Sequence, residues 1–245
     1  MEYIDKHQTA NINRFNAYID GLIAQGKTHY KGLEDAERNS LKAFLSGEQS
    51  HRCAYCMQTQ NGGGTVEHVI PQGIKLPNFA AAYRKGNYYP QFVHQKMYAR
   101  SPQTGVYPHT LAYGNVVMAC GSCNSHKWEQ VIKPTFFESP ITVSYNDDGI
   151  AVFQPDDLEP NLKAYLNGST FVRYRSLWRA IKRGGYSLAQ VNACGTPGSR
   201  RSLLDAVVPH MSRDLQTLYN GNPYRLINDK SWGRLLSFDW FWGYY

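Results

Sequence analysis

Two C-x-x-C pairs constrain this chain more than any other feature. Cys53 and Cys56 lie in "HRCAYC", and Cys120 and Cys123 lie in "ACGSCNSHK", about sixty residues later. Two residues between cysteines let one tight turn present two sulfurs, and two such knuckles make a four-thiolate shell for a tetrahedral Zn²⁺. A fold built on them must bring the chain back to the same point after that long interval. The competing reading is a pair of disulfides. The N-terminus, "MEYIDKHQTANINRF", lacks the charged-then-apolar pattern of a secretion signal. A reducing, cytoplasmic location is therefore expected, and there thiolates hold metal rather than each other. Cys194 stands apart and reads as a small buried apolar residue.

No apolar run is long enough to span a bilayer, so no membrane association is expected. The formal net charge is +7, and Tyr is abundant with 18 residues. A basic chain with interleaved aromatics suits a polyanionic partner, nucleic acid above all. No Walker-type phosphate loop is present, so any nucleotide dependence must come from another chain.

Further chemistry clusters around the knuckles. "TVEHVIPQG" places Glu67 beside His68 at the end of a short apolar stretch. Neighbours on a strand point to opposite faces, so the two cannot serve one core. "GNVVMAC" sets Asn115 before a second apolar, strand-like run. The second knuckle opens "SCNSHKWEQVI", which reads as a helix with Asn124 in its first turn. Around a helix, His126 lies about 200° from Asn124, whereas Lys127 returns to the face of Asn124. Lys127 is thus the candidate phosphate contact.

The order E-H-x-I-P, G-N-x-V, C-x-x-C-N-x-x-K resembles the HNH nucleases, whose fold is a ββα-metal unit. The resemblance covers roughly residues 51 to 130. It implies that His68 is the general base that takes a proton from water. It implies that Glu67 and Asn124 hold a catalytic divalent ion, Mg²⁺ or Mn²⁺, and that Asn115 orients the loop carrying His68. The chain departs from the family pattern at position 67, where Glu stands for the more usual Asp. The third letter of the motif is Asn rather than His. "CAYC", "EHVIP" and "CGSCN" after a helical lead-in resemble, more narrowly, the PtuB nuclease component of Septu-type antiphage systems. That resemblance implies a partner ATPase of the PtuA type.

From Gln72 to Ala119 the chain has no Asp or Glu. The insert, about 73–113, carries Arg84, Lys85, Lys96 and Arg100 among tyrosines. It reads as a substrate-gripping loop whose cations neutralise phosphates. The alternative is a surface excursion with its own small core.

The expected fold is α+β. An HNH core at 51–135, with its four-Cys zinc site and long insert, is flanked by a helical region at 1–50. A hairpin and a mostly helical region follow at 136–245. In the latter, "ITVSYNDDGIAVFQP" reads as a hairpin turning at Asp148-Gly149. "TFVRYRSLWRAIKRGG" reads as an amphipathic helix, with Phe171, Tyr174, Leu177, Trp178 and Ile181 inward and Arg173, Arg175, Arg179, Lys182 and Arg183 outward. The aromatic end "SFDWFWGYY" reads as docked on its own core, with partner binding as the alternative.

The expected function is a metal-dependent HNH endonuclease, the effector of an antiviral system, with DNA the favoured substrate. Two alternatives stay open. One is an RNA-cleaving effector, acting for example on tRNA. The other is a catalytically silent, zinc-stapled adaptor that binds nucleic acid.

Overall fold

The computed structural model describes residues 4, 6, 8–60, 62–69, 71–73, 100, 105, 107–127, 142–154 and 160–244. The fold is mixed α+β, mostly helical, with two small two-stranded sheets. It divides into two units, Met1–Thr142 with Phe153–Lys163, and Val143–Val152 with Ala164–Tyr245. Among the described residues no helix is long and apolar enough to cross a membrane.

The first unit begins with helix α1, Thr9–Ala24, whose buried residues Ile12, Phe15, Ile19 and Leu22 fall on one stripe at steps of three and four. Helix α2, Asp35–Glu48, starts where the Glu37 carboxylate accepts the Glu34 backbone N–H at 2.7 Å, which satisfies one orphan donor of the first turn. Its inward residues are Leu41 and Leu45, while Ala36 is exposed. Phe15 meets Phe44 and Tyr113, with ring centroids 5.3 and 5.2 Å apart. Beside this cluster the fully buried Lys6 pairs with Glu48 at 2.6 Å. Glu48 also accepts the Tyr113 hydroxyl.

Strand β1, Thr65–His68, pairs antiparallel with β2, Val116–Ala119, in the register Thr65↔Ala119, Val66↔Met118, Glu67↔Val117 and His68↔Val116. All four residues of β2 are buried, which is why its sequence runs apolar without alternating. The side chain of Gln49, just past α2, acts as a further partner for β2. Its amide donates to Met118 O at 3.0 Å and accepts from Met118 N at 2.7 Å. Helix α3, Gly121–Lys127, follows β2 directly, so strand, strand and helix stack in the order the motifs run.

In the second unit the chain turns at Asn146–Gly149, between β3, Thr142–Tyr145, and β4, Ala151–Gln154. Asn146 Oδ1 accepts from the N–H groups of Asp148 and Ile150, and Gly149 takes φ 80°. Helix α5, Ser169–Arg183, is preceded by the short α4, Pro160–Leu166. Phe171, Tyr174, Leu177, Trp178 and Ile181 are buried as the periodicity predicts. Arg175 differs. It turns inward, where its guanidinium donates to Phe171 O and to Leu166 O at the end of α4. Trp178 donates its indole N–H to Leu235 O at 2.8 Å. Phe238 and Phe241, from the aromatic end, are both buried.

Candidate functional site

The four predicted zinc ligands come together. The sulfurs of Cys53, Cys56, Cys120 and Cys123 all lie within 4.8 Å of one another. Four sulfurs about 2.3 Å from a tetrahedral centre stand about 3.8 Å apart. Cys56 and Cys120 stand 3.8 Å apart. Backbone N–H groups of Cys120 and Cys123 donate to the sulfurs of Cys53 and Cys120, each at 3.3 Å, and the contact from Cys123 favours the ionised form of Cys120. The thiols of Cys56 and Cys123 are pushed up by their sulfur neighbours, while Cys120 is held down by them, the hydrogen bond from Cys123 being the largest cause. Four thiolates cannot share so small a space unless a cation neutralises them, and a closed all-sulfur shell is what structural Zn²⁺ takes. Among the described residues it is the one cluster of three or more His, Cys, Asp or Glu side chains arranged to hold a metal. Cys194 lies apart from it, partly exposed, with its sulfur near Gln190 O.

The knuckle is locked to the sheet. Ala54 N donates to Met118 O on β2 at 2.9 Å, and Met57 takes the left-handed φ of 63° to close the first turn. The second knuckle is the junction of β2 and α3. A metal at this place therefore fixes the angle between the sheet and α3, which carries Asn124 and Lys127.

β1 alternates as a strand must. Thr65 and Glu67 meet α3, and their partners are Asn124 and Lys127, three residues apart on one helix face. Asn124 donates its amide to Thr65 Oγ1 at 3.3 Å. Lys127 reaches Glu67 Oε1 at 2.7 Å and His68 O at 2.9 Å. Lys127 thus does return to the face of Asn124, but its ammonium is wholly buried on Glu67 rather than presented to a phosphate. Burial pushes the Glu67 carboxyl up and the Lys127 ammonium down, against the attraction between them. The expected ligand pair, Glu67 and Asn124, shares one face, with Glu67 engaged by Lys127 and Asn124 by Thr65.

His68 points the other way. Its ring packs edge-on against Tyr30, centroids 5.0 Å apart, and is buried. Nε2 lies 3.0 Å from Thr110 O. A carbonyl only accepts, so Nε2 carries the proton and Nδ1 keeps its lone pair. The Gln72 amide donates to that lone pair at 3.1 Å. The regular β1–β2 register runs through Glu67 and His68, and it keeps them on opposite faces. Burial holds the His68 pKa down at about 3, outweighing the Thr110 carbonyl that favours the charged ring.

Asn115 is fully buried before β2. Its amide donates to His109 O at 2.7 Å, and its own carbonyl accepts Val69 N–H at 2.9 Å. It ties the turn His109–Leu111, which supplies the Thr110 carbonyl, to the residue after His68. His126 is exposed. Arg100 pairs with Asp20 at 3.0 Å and stacks over Tyr107. Arg84, Lys85 and Lys96 lie outside the described residues.

The sequence reading missed Tyr30, Gln72 and Thr110. Gln72 had a faint signal, four residues after His68 within one motif. Thr110 acts through its backbone, which no side-chain pattern encodes. The chain matches no family model, no curated protein and no solved structure.

Proposed function

We propose that this chain is a metal-dependent endonuclease of the HNH type that hydrolyses phosphodiester bonds in nucleic acid, with DNA the favoured substrate. On this reading β1, β2 and α3 form the ββα unit. The observation that carries the proposal is His68, whose Nε2–H is held by a backbone carbonyl so that Nδ1 is fixed as a proton acceptor. It stands at the end of a strand that packs against the helix of Asn124 and the four-sulfur cluster. In the proposed reaction the Gln72 amide gives up Nδ1, which then takes a proton from water, and the Thr110 carbonyl stabilises the imidazolium that results. By the resemblance Glu67 and Asn124 would hold a hard divalent ion, Mg²⁺ or Mn²⁺, for charge stabilisation at the phosphate; because the regular β1 register keeps them on the face opposite His68, the end of β1 would have to bend for the ion and the base to meet at one phosphate. Lys127 would have to release the Glu67 carboxylate for that to happen. A base held down at about 3 in the free protein is a weak one. Burial is the main cause, so the approach of a phosphate anion and of water favours the charged ring and raises its basicity. The effector role in antiviral defence with a partner ATPase rests on the sequence resemblance alone.

A second reading has an observation of its own. Lys127 occupies Glu67, and His68 is buried, an arrangement that also suits a zinc-stapled nucleic-acid-binding adaptor without cleavage. Incubation of the full chain with plasmid DNA and with total RNA, with Mg²⁺ or Mn²⁺ and with EDTA, separates the two. The nuclease reading expects cutting that EDTA stops, with 5′-phosphate and 3′-hydroxyl ends, because water is the attacker. An absence of cutting under all conditions, including addition of the partner ATPase, favours the adaptor. Cyclic-phosphate ends would mean attack by a ribose hydroxyl and a different site.

A further inference from the structure

The Thr65–Val66 end of β1 borders a cleft of about 400 Å³ that the motifs do not predict. Its described lining is Tyr30, Lys31, Arg38, Lys42, Thr65, Val66 and Gln72. Two of these touch the site already described. Tyr30 packs on the His68 ring, and Gln72 holds its Nδ1. Three of the others are cations, and no described lining residue is acidic. Arg38 and Lys42 are one turn apart on α2, about 6 Å along its axis and on one face.

The charges are poorly neutralised. The nearest acid partner is Asp35, 3.5 Å from Arg38 and itself almost fully exposed. Glu34 and Glu37 are engaged by Lys27 instead. Among the described residues neither Lys31 nor Lys42 makes an ion pair. Arg38 Nε is buried without a hydrogen-bond partner. The chain's own insert cannot supply the missing charge, because no Asp or Glu occurs from Gln72 to Ala119.

We infer that Lys31, Arg38 and Lys42 form a phosphate track that grips the nucleic-acid backbone beside His68. The inference rests on the nucleic-acid reading above and adds to it the surface that holds the substrate. It places substrate binding on the N-terminal helix α2 as well as on the insert. Charge complementarity commits the cleft to a polyphosphate strand. Tyr30 stands among the cations, where an aromatic ring suits an unpaired base.

The test uses the full chain carrying His68→Ala, so that bound oligonucleotide survives. Fluorescence anisotropy with a labelled DNA single strand, a DNA duplex and an RNA strand gives affinity over a salt series. Lys31→Gln, Arg38→Gln and Lys42→Gln together should flatten the slope of log affinity against log salt by about 0.9 per lost contact on duplex. For three contacts the affinity change between about 50 and 200 mM salt then shrinks by about 40-fold. Lys42→Gln alone should flatten the slope by about a third as much, which keeps the test open if the triple variant folds poorly. Arg213→Gln with Arg225→Gln and Lys230→Gln, exposed cations of the second unit, should leave the slope unchanged. A slope that is the same with and without the cleft cations overturns the inference. Absence of binding by the parent chain overturns the inference and the nucleic-acid reading together. A flattened slope in a protein whose wild type never cuts upholds the track and removes the nuclease reading.

Discussion

His68 and Lys127 set the behaviour of the site at the level of single residues. The folded-state pKa of His68, about 3, lies below its ordinary value. The unfolded chain therefore binds the extra proton first. The stability this difference gives is complete above about pH 6.5 and is lost as pH falls toward the folded value. Urea midpoints of the wild type should drop between about pH 6.5 and 4, and His68→Gln should remove up to about 1.4 kcal/mol of that loss per pH unit. Equal pH slopes in the two proteins would show that the ring is not buried neutral. Lys127 makes a separate prediction. Lys127→Met leaves Glu67 buried without a cation, and removing one partner of a buried pair costs about 3–5 kcal/mol. Glu67→Gln added to it should recover most of that loss, which a double-mutant cycle in urea would read directly.

At the level of elements, the knuckles join a loop near α2 to the junction of β2 and α3. Metal analysis should give one tightly held zinc per chain. Cys53→Ser should release it and unsettle the β1–β2–α3 unit, seen as lost amide protection in residues 65–68 and 116–127. A zinc-free protein with the same protection would remove the structural role. Gly149 makes a smaller prediction in the hairpin turn. It has φ 80°, and an added Cβ would lie 3.0 Å from Ser176 N, so Gly149→Ala should cost more than about 1 kcal/mol in the second unit. The elements that were legible beforehand are those whose residues carry a strong local signal. Paired cysteines, the period of α5 and the Asn-Asp-Asp-Gly turn are of this kind. Arg175 was misjudged because a guanidinium can turn inward to donate to backbone carbonyls, whereas periodicity treats its charge as a reason for exposure. The pairing of Lys127 with Glu67 was hidden for a related reason. The helical spacing places Lys127 correctly beside Asn124, but only the register of β1 brings Glu67 to the same spot.

At the level of the whole molecule, two units with separate cores favour two thermal transitions. Zinc removal should shift the transition of the first unit and leave that of the second in place, as calorimetry with and without a strong chelator would show. The chain's positive charge was visible in its composition, but its placement in the cleft was not. The cations of α2 lie on a helix that the motifs do not touch, and only the packing of α2 against the sheet brings them into one cleft with Tyr30 and Gln72, which touch His68. The central claim is that His68 is the proton acceptor in a hydrolytic site. It is tested most directly by single-turnover cleavage of a labelled oligonucleotide in Mg²⁺ or Mn²⁺, comparing wild type with His68→Ala at matched zinc content and matched substrate binding. The account predicts a rate lower by roughly 10²–10⁴-fold in the variant, the scale of a lost general base. An undiminished rate in His68→Ala would contradict it.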